Sequence, residues 1–350
     1  MKQRAFIFGR ALALCALLCG ASVGGAAARA NANQGQPPAQ TDKNAPQASD
    51  AEVKAAQAVQ SATDINTAVA AVGEFIKKYP KSSLRPQVAG IVAGKLVAVQ
   101  DPAQRATLAE GALKAFDRPD ESAILHPVLV DAYVDAKRLD DAFRVAGVWL
   151  EKSPNEVRAL TQLGLLGIDQ ARLGNAKFMP QSQQYAVKAV ELMEADKKPA
   201  DMSDADWASF KKEGLPKLYQ SLGMLAYVSK NPAEARAKLE KSVALGSTDP
   251  TTYALLADMS DQEYSDNATK INAMKAGAEH DAALKQAYEK LDKVIELYAQ
   301  AVALSEGKAG YEKMHEQLLP ALTGYYKYRK GSTDGLQQLI DKYKKPAATP

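Results

Sequence analysis

With 350 residues and Ala, Leu, Lys and Glu prominent, the chain lacks any alternating run of Val, Ile and Thr, which excludes a sheet-based fold and predicts an all-α protein. Its formal charge of +3 comes from 44 basic and 41 acidic residues. Setting aside Lys2, Arg4, Arg10 and Arg29, at the very start, leaves 40 basic residues against 41 acidic ones, so neither nucleic acid nor an anionic membrane is an expected partner.

In chain order, residues 1–30 read as a secretory signal. A basic start precedes a short apolar run over 11–23, and Ala28-Arg29-Ala30 supplies the small–x–small cleavage pattern, leaving Asn31 as the new N-terminus. The run is shorter than the ~20 apolar residues of a membrane span. No integral span is expected after cleavage. Cys15 and Cys19 both lie within this segment, so the mature chain is expected to carry no thiol. Leu14 and Leu18 precede them where a lipid-attachment signal requires a small residue. Residues 31–50, rich in Gln, Asn, Pro and Ala and poor in large apolar side chains, are expected to form a disordered linker.

From 51 onward apolar residues recur at helical spacing. The pattern predicts helices over 51–62, 66–79, 85–99, 103–116, 121–136, 139–152, 156–172, 181–196, 204–212, 215–229, 232–245 and 250–261. A longer helical region then runs to 304, followed by helices over 309–329 and 333–343. Asp101-Pro102, Asn231-Pro232 and Asp249-Pro250 each pair a capping side chain with a proline at the first helical position. The helices fall into pairs. Leu129 and Tyr133 precede Ala142, Ala146, Trp149 and Pro154, and Leu163-Gly164 opens the next pair thirty-four residues after Leu129. Leu222-Gly223 and Ala226 are followed by Ala235, Leu239 and Ser242. Ala56 and Val59 precede Ala68, Val72, Phe75 and Pro80, and Ala89-Gly90 follows Ala55-Ala56 by thirty-four. The small residues Gly164, Gly223, Ala142 and Ala235 are expected where antiparallel helices approach most closely.

On these residues the chain resembles the tetratricopeptide repeat family, particularly its exported and periplasmic bacterial members, with the repeats over 51–260 and a divergent helical region or cap over 261–345. No unit carries the full skeleton, and extra residues including 197–201 separate the fourth and fifth units. The resemblance implies a right-handed superhelical solenoid of antiparallel helix pairs that grips a peptide or protein partner on its concave wall. The wall implied by this placement includes Asp131, Arg158, Gln162, Lys217, Gln220, Ser221 and Met224. Its mixed, weakly charged character suits a neutral, partly apolar peptide or a protein surface.

Catalytic and metal signatures are sparse. His126, His280 and His315 stand on separate segments, and Leu319 occupies the position where a second histidine would complete a zinc-protease helix begun by His315-Glu316. His315 is expected to be solvated, and His126 to pack or cap near a helix start. The acidic stretch Asp258, Asp261, Glu263 and Asp266 lacks the pattern of a calcium loop and reads as a solvated helix end. Neither cofactor nor metal is expected. Lys327, Arg329 and Lys330 beside Tyr325, Tyr326 and Tyr328, with Lys342, Lys344 and Lys345, form basic clusters; the tyrosines are expected in the core of the final hairpin.

The reading that follows is a non-catalytic scaffold or adaptor of the bacterial envelope, periplasmic after export. An envelope-bound structural or cell-wall component using the basic C-terminal hairpin is the alternative, and an enzyme with an unrecognised site is a more remote one.

Overall fold

The computed structural model describes residues 48–344, so the signal, the cysteines, most of the linker and Lys345 lie outside the described residues. Among the described residues there are fourteen α-helices and no strand, an all-α fold. The chain divides into two compact units between Ala159 and Leu160.

The first unit contains α1 (Asp50–Ser61), α2 (Ile65–Lys78), α3 (Arg85–Val97), α4 (Pro102–Ala115), α5 (Pro119–Asp135) and α6 (Leu139–Lys152), and ends in the first turn of α7 (Val157–Arg172). Local chemistry sets the helix starts. Ser49 and Glu52 form a reciprocal capping box, and Asp64 accepts from the Thr67 amide. Asp101 accepts from the amides of Ala103 and Gln104, with Pro102 following it. Each helix packs on its successor, and α1 also meets α3, as α3 meets α5. The interface is built from small residues: Ala68, Ala89, Ala106, Ala109, Ala132 and Ala142 have no exposed surface. Phe75, Leu96, Phe116 and Leu125 fill the space between helices, each burial contributing about 1.5–3 kcal/mol.

An ionic tie joins the starts of α3 and α5. The Arg85 guanidinium, on a residue 4% exposed, donates from Nε at 2.6 Å and from Nη2 at 2.9 Å to the fully buried Glu121 carboxylate. It also donates to Asp117 at 2.7 Å and to the Pro80 carbonyl at 3.0 Å. Arg118 reaches the same carbonyl at 2.6 Å. Planar forks suit such bidentate contacts.

The second unit continues α7 and adds a short 3-10 turn (Ala176–Phe178), α8 (Met179–Glu194), α9 (Asp204–Val228), α10 (Pro232–Ala244), α11 (Pro250–Asn272), α12 (Ala278–Ser305), α13 (Glu312–Lys330) and α14 (Leu336–Tyr343). The capping expected of Asn231 and Asp249 is present: they accept from the amides of Glu234 and Thr251. Here glycine sets the closest approaches. A Cβ on Gly164 would lie 2.8 Å from the Ala186 amide nitrogen, and one on Gly223 would lie 2.8 Å from Leu239 Cγ. One on Gly167 would fall on Ser182 Oγ, which donates to the Leu163 carbonyl at 2.8 Å. Ser242 Oγ likewise donates to the Pro216 carbonyl at 2.7 Å. Gly90 differs: a Cβ there would meet nothing, and its neighbour Ala89 is the buried one.

Three boundaries depart from expectation. The segments 204–212 and 215–229 are one helix, α9, with Pro216 inside it. Pro216 deprives the Lys212 carbonyl of its donor. Lys212 is exposed, so water can satisfy that carbonyl, while burial of Trp207, Leu215, Leu218 and Tyr219 carries the helix through. The helix predicted to end at 261 continues to Asn272, because Tyr264, Ala268 and Ile271 keep one face buried. The region 262–304 is therefore the end of α11, a break over 273–277, and α12. Finally, α5 begins at Pro119, which places His126 in mid-helix rather than near its start.

Two stability tests follow. Gly164→Ala should cost about 1–3 kcal/mol, because backbone cannot rotate out of its way, whereas Gly90→Ala should gain about 0.5–1 kcal/mol. Equal effects in urea unfolding would contradict the packing described. Arg85→Ala should cost up to about 3–5 kcal/mol by leaving the Glu121 carboxylate with Arg118 alone, whose Nε lies 3.7 Å away, and Arg85→Met with Glu121→Leu should recover most of the loss. A double variant as unstable as Arg85→Ala would show that the carboxylate is not what the single substitution strands.

Candidate partner-binding surfaces

Lys217, Gln220, Ser221 and Met224 lie at successive i, i+3, i+4 and i+7 positions of α9 and so share a helix face. Lys217 is exposed and Gln220 and Ser221 are half-buried, but Met224 is only 5% exposed. Its place on the wall is therefore corrected. The face turns toward the interior along its length, and Met224 offers a partner almost no area. Gln162, half-buried on α7, belongs to the same unit. Asp131 on α5 and Arg158 in the first turn of α7 are exposed residues of the first unit.

Sequence reasoning missed a groove in the second unit. Val243 and Ala244 of α10, Tyr253 and Leu256 of α11 and Leu297 of α12 line about 270 Å³ of open space, with Arg236 and Lys293 at the rim. The Tyr253 hydroxyl is turned away and donates to the Ser247 carbonyl at 2.9 Å. Arg236 donates to Glu263 at 2.7 Å and to Ser260 at 3.3 Å. The signal for this groove was weak, since its lining comes from three helices and reads as ordinary core.

The acidic stretch lies within α11 and is only partly solvated, with Glu263 and Asp266 exposed. Asp258 and Asp261 are half-buried and accept hydrogen bonds from the hydroxyls of Tyr227 and Tyr325, the latter at 2.5 Å. Burial raises both carboxyls from the ordinary aspartate value. Glu263 pairs with Arg236, and Asp266 accepts from Gln262 at 3.0 Å. Among the described residues no three His, Cys, Asp or Glu side chains are grouped to hold a metal ion, and no helix is long and apolar enough to cross a membrane.

Tyr325 packs against α11 and α12 rather than within the final hairpin: its ring stacks on Tyr298 at 6.0 Å and meets Tyr264 edge-on at 6.5 Å. Tyr328 is 43% exposed, and Tyr326 donates to the Asp334 carbonyl. The neighbouring cations are largely paired. Arg329 donates to Asp292 at 2.9 Å and lies 4.9 Å from the Tyr288 ring centre, and Lys330 is 3.8 Å from Asp292. Lys344 bridges Glu306 at 2.9 Å and Asp341 at 2.8 Å.

The three histidines stand on different helices, α5, α12 and α13. His315 is half-buried, not solvated, with Nδ1 3.1 Å from Ser305 Oγ and 3.2 Å from the Val302 carbonyl. His280 lies 3.2 Å from Asp281. His126 stacks on Trp149, with ring centres 5.6 Å apart and planes 8° from parallel. Its Nδ1 lies 2.6 Å from the Ser122 carbonyl, which requires the hydrogen on that nitrogen. Burial lowers its pKa below 6.5, and Lys152 adds to the effect against the opposing Ser122 bond. The imidazole thus stays neutral in the folded chain at pH values where the unfolded chain is protonated, so its contribution to stability is present above 6.5 and is lost as pH falls through the lowered folded value. In a Trp207→Phe background, Trp149 emission should stay level through pH 6.5 and change only below it, and His126→Asn should abolish the step. A step centred above 6.5 would overturn this account.

No protein-family model matches the sequence, and comparison with curated proteins finds no significant relative.

Proposed function

We propose that this chain is an exported, non-catalytic scaffold of the bacterial cell envelope, a tetratricopeptide-type solenoid that holds a peptide or protein partner. The observation that carries the reading is the packing of the first unit, where each helix meets its successor and α1, α3 and α5 also meet in series. That is the pattern expected when hairpins of one kind stack, with the first helix of each lining a shared wall. The glycine contacts at Gly164 and Gly223 support the same repeat register in the second unit. The partner face of each unit is assigned to the first helices of its hairpins, with Asp131 and Arg158 as accessible residues of the first unit and Gln162, Lys217, Gln220 and Ser221 as those of the second. The ligand is a neutral, partly apolar segment, because these side chains mix both signs with uncharged amides.

The pairing of Arg329, Lys330 and Lys344 with carboxylates speaks against the alternative, in which the C-terminal hairpin binds an anionic envelope polymer. Neutralised cations release few counterions and gain little from a polyanion.

Site-specific photo-crosslinking in cells tests the proposal, with probes at Gln162 and Gln220 and a control at the exposed Lys241. Discrete protein adducts at the two probes and none at the control are expected. Silence at both, with adducts to envelope material from the C-terminal hairpin, would replace the scaffold reading by the structural one. Protein recovered from the periplasm should begin at Asn31; retention of residues 1–30 on a cytoplasmic protein would refute export.

A further inference from the structure

The second unit buries two like charges without a cation to balance them. Asp258 and Asp261 stand three residues apart on α11 and therefore on one face. Each reaches a different neighbouring helix: Asp258 accepts from Tyr227 of α9, and Asp261 from Tyr325 of α13. The fourth side is closed by Tyr298 of α12, 3% exposed and stacked on Tyr325, and Tyr264 of α11 itself adds its edge. From α10, Arg236 is directed to Glu263, Ser260 and Glu240. Every group acting on the two carboxyls is thus a tyrosine or the other carboxyl. Two other half-buried carboxylates of the unit have cations: Asp292 has Arg329 and Lys330, and Asp169 has Arg172.

We propose that Asp258 and Asp261 form a proton-operated latch across α9, α11 and α13, which draws these helices together as the surroundings turn acidic. Deprotonated, the two carboxylates repel each other and oppose their own burial. Protonated, they keep an oxygen for each tyrosine hydroxyl and shed both penalties. The direction of the titration agrees. Burial raises each carboxyl, the neighbouring carboxyl raises Asp261 further, and the tyrosine bonds only partly offset this. A group held more tightly protonated in the folded state contributes stability that is complete below the unfolded value of 3.8 and is lost as pH rises through the elevated folded value. Asp196 and Asp341, lowered by Lys211 and Lys344, oppose the trend only below 3.8.

The test uses the full chain carrying Trp149→Phe, so that Trp207 of α9 is the sole indole and reports the second unit. Urea unfolding is followed between about pH 7 and about pH 4.5, the range in which raised carboxyls titrate. The midpoint is expected to climb as pH falls. Asp258→Asn with Asp261→Asn should remove most of the climb, leaving the part due to Asp169, which burial also raises, and should match or exceed the parent at neutral pH. Tyr325→Phe, which removes the bond that lowers Asp261, should move the climb to higher pH. A parent whose midpoint falls with acid, or an Asn variant that climbs as the parent does, would overturn the latch. Should the Asn variant not fold, Tyr325→Phe decides: a displaced climb supports the latch and an unchanged one refutes it.

Discussion

Two antiparallel helices can approach closely only where neither places a large side chain between them, and the packing within both units depends on meeting that condition. In the first unit alanine meets it, at Ala68, Ala89, Ala106 and Ala142. In the second, glycine takes the tightest places, with Ala186 backbone against Gly164 and Leu239 against Gly223. Close approach brings a second benefit. Ser182 and Ser242, both fully buried, reach carbonyls of the facing helix and so add a hydrogen bond where a larger residue would add only separation. A buried hydroxyl left unpaired would cost about 1–3 kcal/mol, and Ser182 has room to reach its carbonyl because Gly167 opposite it carries no side chain.

Buried charge is handled in two opposite ways. Around Arg85 four of the five N–H donors of the fork are used: Glu121, Asp117 and the Pro80 carbonyl take them, and α3 is tied to α5. Around Asp258 and Asp261 no cation enters, and tyrosine hydroxyls carry the contacts to α9 and α13. The first arrangement demands partners in fixed positions and loses heavily when one is removed. The second tolerates a change of protonation, because a neutral carboxyl still accepts from a phenol. An ion pair specifies a geometry, whereas a tyrosine-bonded carboxyl leaves a helix contact open to adjustment by solvent.

Helix existence and capping were legible in the sequence because they are local. Asp101-Pro102, Asn231-Pro232 and Asp249-Pro250 each start a helix where the residue pair requires it. The small residues at 142, 164, 223 and 235 were legible because the repeat register gives them common offsets. What escaped was set by distant neighbours. Pro216 lies inside α9 because buried side chains on either side outweigh one missing donor. Met224 follows the polar Gln220 and Ser221 on their face, yet it is covered by packing that no local spacing records. Asp258 and Asp261 resembled a solvated end because their tyrosine partners stand 31 and 64 residues away along the chain.

These contrasts bear on how a partner can be recognised. Cations near the C-terminus are matched by Asp292, Glu306 and Asp341, and those of the first unit's tie by Glu121 and Asp117. In these two places charge serves the fold, and the formal net charge of +3 leaves little net field for steering an ionic ligand. In the proposed scaffold, recognition would then come from shape and from apolar and amide contacts, the kind of surface that Gln162, Gln220 and Ser221 would provide. Such contacts are short-ranged and sensitive to the spacing of the helices that carry them. A change in how tightly α9 is held, as the proposed latch would produce, alters that spacing without altering any residue of the face itself.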